Sequence, residues 1–123
     1  MKYTNAQMQE MLQALAKHLE RRDVIGYAAA RNTRVLREEL TEFSDIQNEL
    51  VKKYGEAETD EEGNPTGATV LTQESESFPA FIAEVEPFLQ IEHEPALFTV
   101  PYEKAIGELS GLELLELDWM FED

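Results

Sequence analysis

The sequence predicts an α+β domain that is predominantly helical, with a long N-terminal antiparallel helical hairpin packed against a short strand pair and two shorter C-terminal helices. Three observations support this fold class. Apolar residues recur at helical spacing through residues 1–54, a break marked by Gly and Pro precedes a short β-prone run, and a capping signal opens the last apolar stretch. The 123 residues fit one domain, divided into the hairpin (1–54), an acidic loop (55–67) and an acidic α+β half (68–123).

The first helix is predicted from Asn5 to Arg22. Thr4 and Gln7 have the spacing of a capping box, in which each side chain satisfies a free backbone N–H. Behind this box, apolar residues form one helical stripe, which consists of Met8, Met11, Leu12, Leu15 and Leu19.

The second helix is predicted from Tyr27 to Tyr54, a rod of roughly 42 Å at about 1.5 Å per residue. Gly55 follows it and is expected to close the helix in a left-handed conformation. Asn32 and Gln47 fall on or beside the apolar stripe. We expect them at the solvated ends of the seam, with a buried polar pair that fixes the register as the alternative.

The second half begins with a predicted hairpin tip at 63–67 and a short strand at 68–72. Ser77 is expected to cap a third helix, with Pro79 in its first turn and Pro87 kinking or ending it.

The C-terminal part is predicted to be extended over 91–100 and to form one helical turn over 101–106. Ser110 and Glu113 form a second capping box, which opens a last helix with the apolar face Leu112, Leu115, Trp119 and Met120. The predicted core of the whole chain is Leu12, Leu15, Leu19, Leu36, Leu40, Phe43, Phe81, Val85, Leu115 and Trp119.

Charge is distributed unevenly along the chain. Residues 1–54 hold nine Lys and Arg against eight Asp and Glu, whereas residues 55–123 hold one lysine against eighteen acidic residues, which gives a net charge of −16. Such a second half repels nucleic acid and anionic lipid. We therefore expect neither direct nucleic-acid binding nor a membrane partner.

The absence of cysteine excludes disulfides, thiolate metal sites and cysteine nucleophiles. The N-terminus lacks the apolar stretch of a signal peptide, and no apolar run approaches the ~18 residues that span a bilayer. We expect an intracellular protein. No catalytic constellation is recognised and no cofactor is expected. The two histidines, His18 and His93, are expected to be surface or hydrogen-bonded residues.

Carboxylates in the second helix offer a metal-site alternative, consisting of Glu39, Glu42 and Asp45. Carboxylates three apart share a helix face, and pairs of them on neighbouring helices can hold Mg²⁺ for nucleotide hydrolysis. This arrangement resembles the all-helical nucleoside-triphosphate pyrophosphohydrolases, and the second pair would have to be Glu113 and Glu116. A solvated acidic face explains the same residues.

Two groups of residues are predicted to form interaction surfaces. Arg31, Arg34 and Arg37 recur every three residues and form a basic patch for a phosphate or an acidic partner, with pairing to Glu38 as the simpler explanation. Met8, Met11 and Leu15 belong to an apolar stripe longer than the C-terminal half is expected to cover. That excess predicts a homodimer, which should tighten as salt screens the charge of two acidic copies.

Several segments in this order resemble a family of small, uncharacterised proteins encoded by bacteriophages and prophages. The matching segments are Thr4-Asn5-Ala6-Gln7, Glu49-Leu50, Lys53-Tyr54-Gly55, Asp60-Glu61-Glu62-Gly63-Asn64, Phe81-Ile82-Ala83-Glu84-Val85, Ile91-Glu92 and Leu109-Ser110-Gly111 with Leu112, Leu114, Leu115 and Leu117. They are caps and turns rather than chemistry. The resemblance implies a phage-associated origin, and hence a location in the host-cell cytoplasm or in the virion, and it carries over no functional residue.

The sequence therefore predicts a non-enzymatic module for protein–protein interaction or assembly, with a phage or host protein as partner. One alternative is a nucleic-acid-mimicking inhibitor of a host DNA-binding protein, because eighteen carboxylates in residues 55–123 can imitate phosphates. The other alternative is the magnesium-dependent pyrophosphohydrolase.

Overall fold

A computed structural model describes residues 1–122 and confirms a predominantly helical α+β fold. The helices are α1 (Asn5–Ala16), α2 (Val24–Glu39), α3 (Thr41–Tyr54), α4 (Phe78–Leu89) and α5 (Gly111–Glu116). The strands are β1 (Tyr3–Thr4), β2 (Glu56–Thr59), β3 (Pro65–Val70), β4 (Glu92–His93), β5 (Val100–Pro101) and β6 (Phe121–Glu122), with 3₁₀ turns at Tyr102–Lys104 and Asp118–Met120.

The chain forms two compact units. The first, here called the terminal unit, combines Met1–Leu40 with the chain from Glu92 onward. The second, the central unit, is Thr41–Ile91.

In the terminal unit, α1 packs against α2 around a mainly apolar core that also contains buried polar residues. Its fully buried side chains include Met8, Leu15, Ile25, Leu36, Val100, Leu117 and Met120. β1 pairs antiparallel with β4, and β5 pairs parallel with β6. The N-terminal strand is therefore paired with the start of the C-terminal segment of this unit, and that segment is closed by a pairing of its own.

The predicted continuous rod from Tyr27 to Tyr54 is wrong, because the helix is interrupted at Leu40. Leu40 has φ −88° and ψ −1°, which departs from regular helical geometry. Its N–H still bonds the carbonyl oxygen of Leu36, as in a regular α-helix, but also that of Glu38, and α2 ends just before this residue. The apolar spacing of Leu36, Leu40 and Phe43 continues across the break, and all three are buried. Periodicity therefore gives no signal of the interruption.

The bounds of the first two helices also differ from the predicted ones. α1 ends at Ala16 rather than Arg22, and a turn follows. α2 begins at Val24, because Asp23 caps it by accepting a hydrogen bond from the backbone N–H of Gly26 at 3.1 Å.

In the central unit, α3 packs against α4, and the core contains Phe43, Phe81 and Val85. β2 and β3 form an antiparallel hairpin whose residues are all exposed. β2 lies in the segment predicted as an acidic loop. Pro87 does not stop α4, which continues to Leu89.

Two further predictions for this unit are corrected. Gly55 does not have a positive φ; a Cβ there would collide with the carbonyl oxygen of Val51 and the methyl group of Thr69, so close packing requires the glycine. Ser77 precedes α4, but its hydroxyl donates to the carbonyl oxygen of Tyr54 instead of capping the helix.

Candidate interaction surface

The last helix presents its leucines opposite to the predicted orientation. Ser110 and Glu113 form the predicted capping box. However, Leu112 and Leu115 are 67% and 77% exposed, whereas Leu117 and Met120 are completely buried. Because Leu112 and Leu115 lie three residues apart, they share one face of α5. That face is solvent-exposed rather than part of the core.

The cause is a change of helical period. α5 spans six residues and ends at Leu117, which has φ −109° and ψ 16°. The following 3₁₀ turn, Asp118–Met120, has about three residues per turn, which aligns Leu117 with Met120. The prediction extended an α-helical period through this turn and therefore selected the wrong leucines. Trp119, also predicted in the core, is only half-buried.

A cleft of about 460 Å³ lies next to this face in the terminal unit. Its lining residues come from β1, α1 and the end of the chain, and are Tyr3, Gln7, Glu10, Met11, Gln13, Ala14, Lys17, Glu116 and Trp119. Glu116 is one turn after Leu112 on α5, so the leucine face leads to the cleft. We call Leu112, Leu115 and this cleft the α5 surface.

The walls of the cleft combine apolar side chains with polar groups, several of which have partners within the chain. Lys17 Nζ lies 3.5 Å from Glu116 Oε2, and Gln7 Oε1 accepts the backbone N–H of Thr4 at 2.8 Å. The indole Nε1 of Trp119 is buried and has no hydrogen-bond partner within residues 1–122. Trp119 therefore gives the cleft an aromatic wall, while its indole N–H is turned away from solvent.

Arg21 holds the segment before α5 against the α1–α2 loop. Its guanidinium donates to the carbonyl oxygen of Glu108 at 3.4 Å and to the Glu108 carboxylate at 3.3 Å, and it pairs with Asp23. The hydrogen bond with Asp23 raises the pKa of Arg21 and lowers the pKa of Asp23. This clamp positions the start of α5 from a distant part of the chain.

His18 lies beneath α5. It is only 2% exposed, and its Nε2 lies 3.5 Å from Glu113 Oε2. The pKa of Glu113 is lowered, chiefly by the backbone N–H of Ser110 and then by the Ser110 hydroxyl. The prediction that His18 is a surface or hydrogen-bonded residue missed its burial, since residue type alone does not reveal it.

The α5 surface lies in an acidic segment. Residues 108–122 contain five Asp and Glu and no Lys or Arg. The carboxylates of Glu108 and Glu113 are 59% and 36% exposed, and Asp118 is exposed as well. The two exposed leucines therefore lie within a locally negative field.

The apolar residues predicted as an interface are core residues instead. Met8, Met11 and Leu15 are at most 7% exposed in the terminal unit. The uncovered stripe inferred for the first helix is therefore absent, because α2 and the C-terminal segment of that unit cover it. Leu19, from the same stripe, is 40% exposed beyond the end of α1.

The basic patch has the predicted spacing, with Arg31, Arg34 and Arg37 all exposed on α2. Arg31 lies over the rings of Tyr27 and Phe98, 5.9 and 5.4 Å from their centroids. A depression of about 380 Å³ involves the other two arginines and is lined by Leu19, Ala30, Thr33, Arg34, Arg37 and Glu38.

The carboxylates of the metal alternative do not form a ligand set. Among the described residues, no group of three or more His, Cys, Asp and Glu side chains could hold a metal ion. Glu39 instead lies 3.0 Å from His93 Nδ1. Glu42 and Asp45 lie on α3, in the other unit, and are exposed. Within residues 1–122 these carboxylates are therefore not gathered into one ligand group.

Comparisons with known proteins give no relative for this chain: no protein-family model, no curated protein and no solved structure matches it. Within residues 1–122, no helix combines the length and apolar character needed to span a membrane.

Proposed function

We propose that this chain is a non-enzymatic protein-interaction module that binds its partner through the α5 surface. The observation that carries the proposal is the exposure of Leu112 and Leu115, at 67% and 77%, next to a cleft with a tryptophan wall. Burying a leucine side chain contributes about 1.5–3 kcal/mol. Two leucines and a tryptophan-lined cleft are therefore sufficient anchors for a specific contact.

The phage association and the host-cell location rest on the resemblance of the caps and turns alone. If the protein is phage-associated, its partner is a phage or host protein that it binds in the host-cell cytoplasm or in the virion. The homodimer predicted from the helix-1 stripe loses that support, because Met8, Met11 and Leu15 are core residues.

The test is affinity capture with the double variant Leu112→Gln/Leu115→Gln from phage-infected or lysogenic cells. Both side chains are exposed, so the variant should fold as the parent does. We expect the protein captured by the parent to be lost with the double variant. The matched control is Leu19→Gln, which changes an exposed leucine elsewhere in the same unit and should retain the partner. Equal capture by all three proteins would refute the proposal.

The nucleic-acid-mimic alternative has one specific observation in its favour. The exposed β2–β3 hairpin and its tip carry Glu56, Glu58, Asp60, Glu61 and Glu62 without a basic residue. Such a hairpin can enter a basic cleft by electrostatic attraction. Changing these five residues to Gln and Asn should abolish salt-sensitive binding to a DNA-binding enzyme. Unchanged affinity would eliminate this alternative.

A further inference from the structure

We infer that the partner segment recognised by the α5 surface is a cationic amphipathic helix. This inference rests on the proposed function and adds the chemistry of the partner to it. Three features of the surface select this occupant: its charge, the spacing of its leucines and the form of the cleft.

The charge selects a cationic segment. In α5 each exposed leucine is followed by a carboxylate, Glu113 after Leu112 and Glu116 after Leu115, and no basic residue occurs in 108–122. Lys17 and Arg21 pair with two of the nearby carboxylates, those of Glu116 and Glu108. Glu113 accepts the backbone N–H of Ser110 and lies near His18, but it has no Lys or Arg within ion-pair distance in the described chain, and Asp118 forms no ion pair there. Lysine or arginine side chains of a partner would complement these two groups.

The leucine spacing selects a helix. Leu112 and Leu115 present two apolar side chains one turn apart, which matches apolar groups at i, i+3 and i+4 of a partner helix. The strands of the same unit are two residues long and offer almost no edge for strand addition. A helix lying along α5 would bury both leucines.

The cleft favours a partner helix that carries a large apolar side chain beside its lysine or arginine residues. Its volume of about 460 Å³ accommodates a large side chain, and Met11 and Trp119 provide the apolar contacts.

A second copy of this chain fits the surface less well than a cationic helix does. Each copy carries a net charge of −16, and two α5 surfaces in contact would bring like charges together. The partner is therefore expected to be a different protein.

The experiment uses the full chain and Trp119, its only tryptophan, as the reporter. The probe is a tryptophan-free synthetic peptide of about 18 residues (~27 Å as a helix) with leucines at i, i+3, i+4 and i+7 and lysines elsewhere. One control peptide has glutamate in place of lysine, and another has the same composition with its leucines scattered. We expect the lysine helix to change the Trp119 emission and to bind at least ~10-fold more tightly than either control.

The protein controls separate recognition from general attraction to an acidic chain. Leu112→Gln/Leu115→Gln keeps the charge, so it should weaken binding of the lysine helix by at least ~10-fold, while Leu19→Gln should leave it unchanged. Equal binding of the scattered peptide, equal binding of the glutamate peptide, or equal affinity of the double variant would each overturn the inference.

The failure of this inference is distinguishable from the failure of the proposed function. If the double variant loses its captured partner but the parent does not prefer the lysine helix, the partner chemistry is wrong and the interaction surface stands. If capture does not depend on the leucines either, both fail. Sedimentation of the parent without peptide provides a third result: a dimer dissociated by the double substitution would assign the surface to a second copy.

Discussion

Asn32 is the residue that ties α2 to the chain before β5. It is completely buried, its Nδ2 donates to the carbonyl oxygen of Phe98 at 2.9 Å, and its Oδ1 accepts the backbone N–H of Phe98 at 2.7 Å. One amide side chain thus replaces a strand partner for Phe98. The sequence placed Asn32 at a solvated end or in a polar pair with Gln47. The side chain instead bonds the peptide groups of Phe98, sixty-six residues along the chain. No local sequence pattern indicates such a distant partner.

Replacing Asn32 with Ala should destabilise the terminal unit by about 2–4 kcal/mol, because both polar groups of Phe98 lose their partner. The measurement is urea unfolding followed by Trp119 fluorescence. Gln13→Ala, an exposed change on α1, is the control and should shift the free energy of unfolding by less than about 0.5 kcal/mol. A similarly small effect of Asn32→Ala would show that water satisfies those groups.

Asp23 links stability to pH. Its pKa is lowered by Arg21 and by the N–H of Gly26, so its contribution is present above the unfolded pKa of about 3.9 and is lost as pH falls through the folded pKa. Asp23→Asn preserves the capping oxygen but removes the charge. We expect the variant to be less stable than the parent at pH 7 and to lose less stability between pH 5 and pH 3.

Urea unfolding across this pH range checks the prediction, with Glu20→Gln as the control for removal of an exposed charge in the same unit. Parallel pH profiles of Asp23→Asn and the parent would exclude a stabilising Arg21–Asp23 pair.

The elements show which parts of the fold are encoded locally. Both capping boxes, Thr4 with Gln7 and Ser110 with Glu113, form as predicted, because each depends on residues three apart. The break at Leu40 and the choice of buried leucines near α5 depend on packing against distant segments. The apolar spacing fits a continuous helix through Leu40 as well as an interrupted one, and it fits Leu115 in the core as well as Leu117. The sequence alone therefore could not decide between these arrangements.

Gly55 provides a test at the junction of α3 and the β2–β3 hairpin. Gly55→Ala should destabilise the central unit by about 1–3 kcal/mol, since the added methyl group meets the Val51 carbonyl and the Thr69 side chain. Hydrogen exchange of amides in Thr41–Ile91 is the measurement. Gly63→Ala has open space but a positive φ of 85°, so its cost should be backbone strain confined to the hairpin tip.

If only the amides of the β2–β3 hairpin lose exchange protection, Gly55→Ala destabilises the hairpin and not the α3–α4 core. Unchanged protection throughout would mean that no close contact exists at this glycine.

For the whole molecule, charge asymmetry is the property with the broadest consequence. A cationic partner and a homodimer depend on salt in opposite directions. Screening should weaken the former, because its attraction is electrostatic, and strengthen the latter, because two copies of −16 repel each other. Sedimentation at about 50 and 500 mM salt, with and without the lysine peptide, measures both. Dimerisation that weakens as salt rises would contradict the repulsion argument.

The proposed binding surface requires that Leu115 of α5 is exposed to solvent and that Leu117, directly after α5, lies in the core. The most direct measurement is the free energy of unfolding of Leu115→Ala and Leu117→Ala, determined in urea by Trp119 fluorescence. The structure predicts a loss of about 2–5 kcal/mol for Leu117→Ala and less than about 0.5 kcal/mol for Leu115→Ala. A large loss for Leu115→Ala with little effect of Leu117→Ala would place the leucine face in the core and contradict the proposed binding surface.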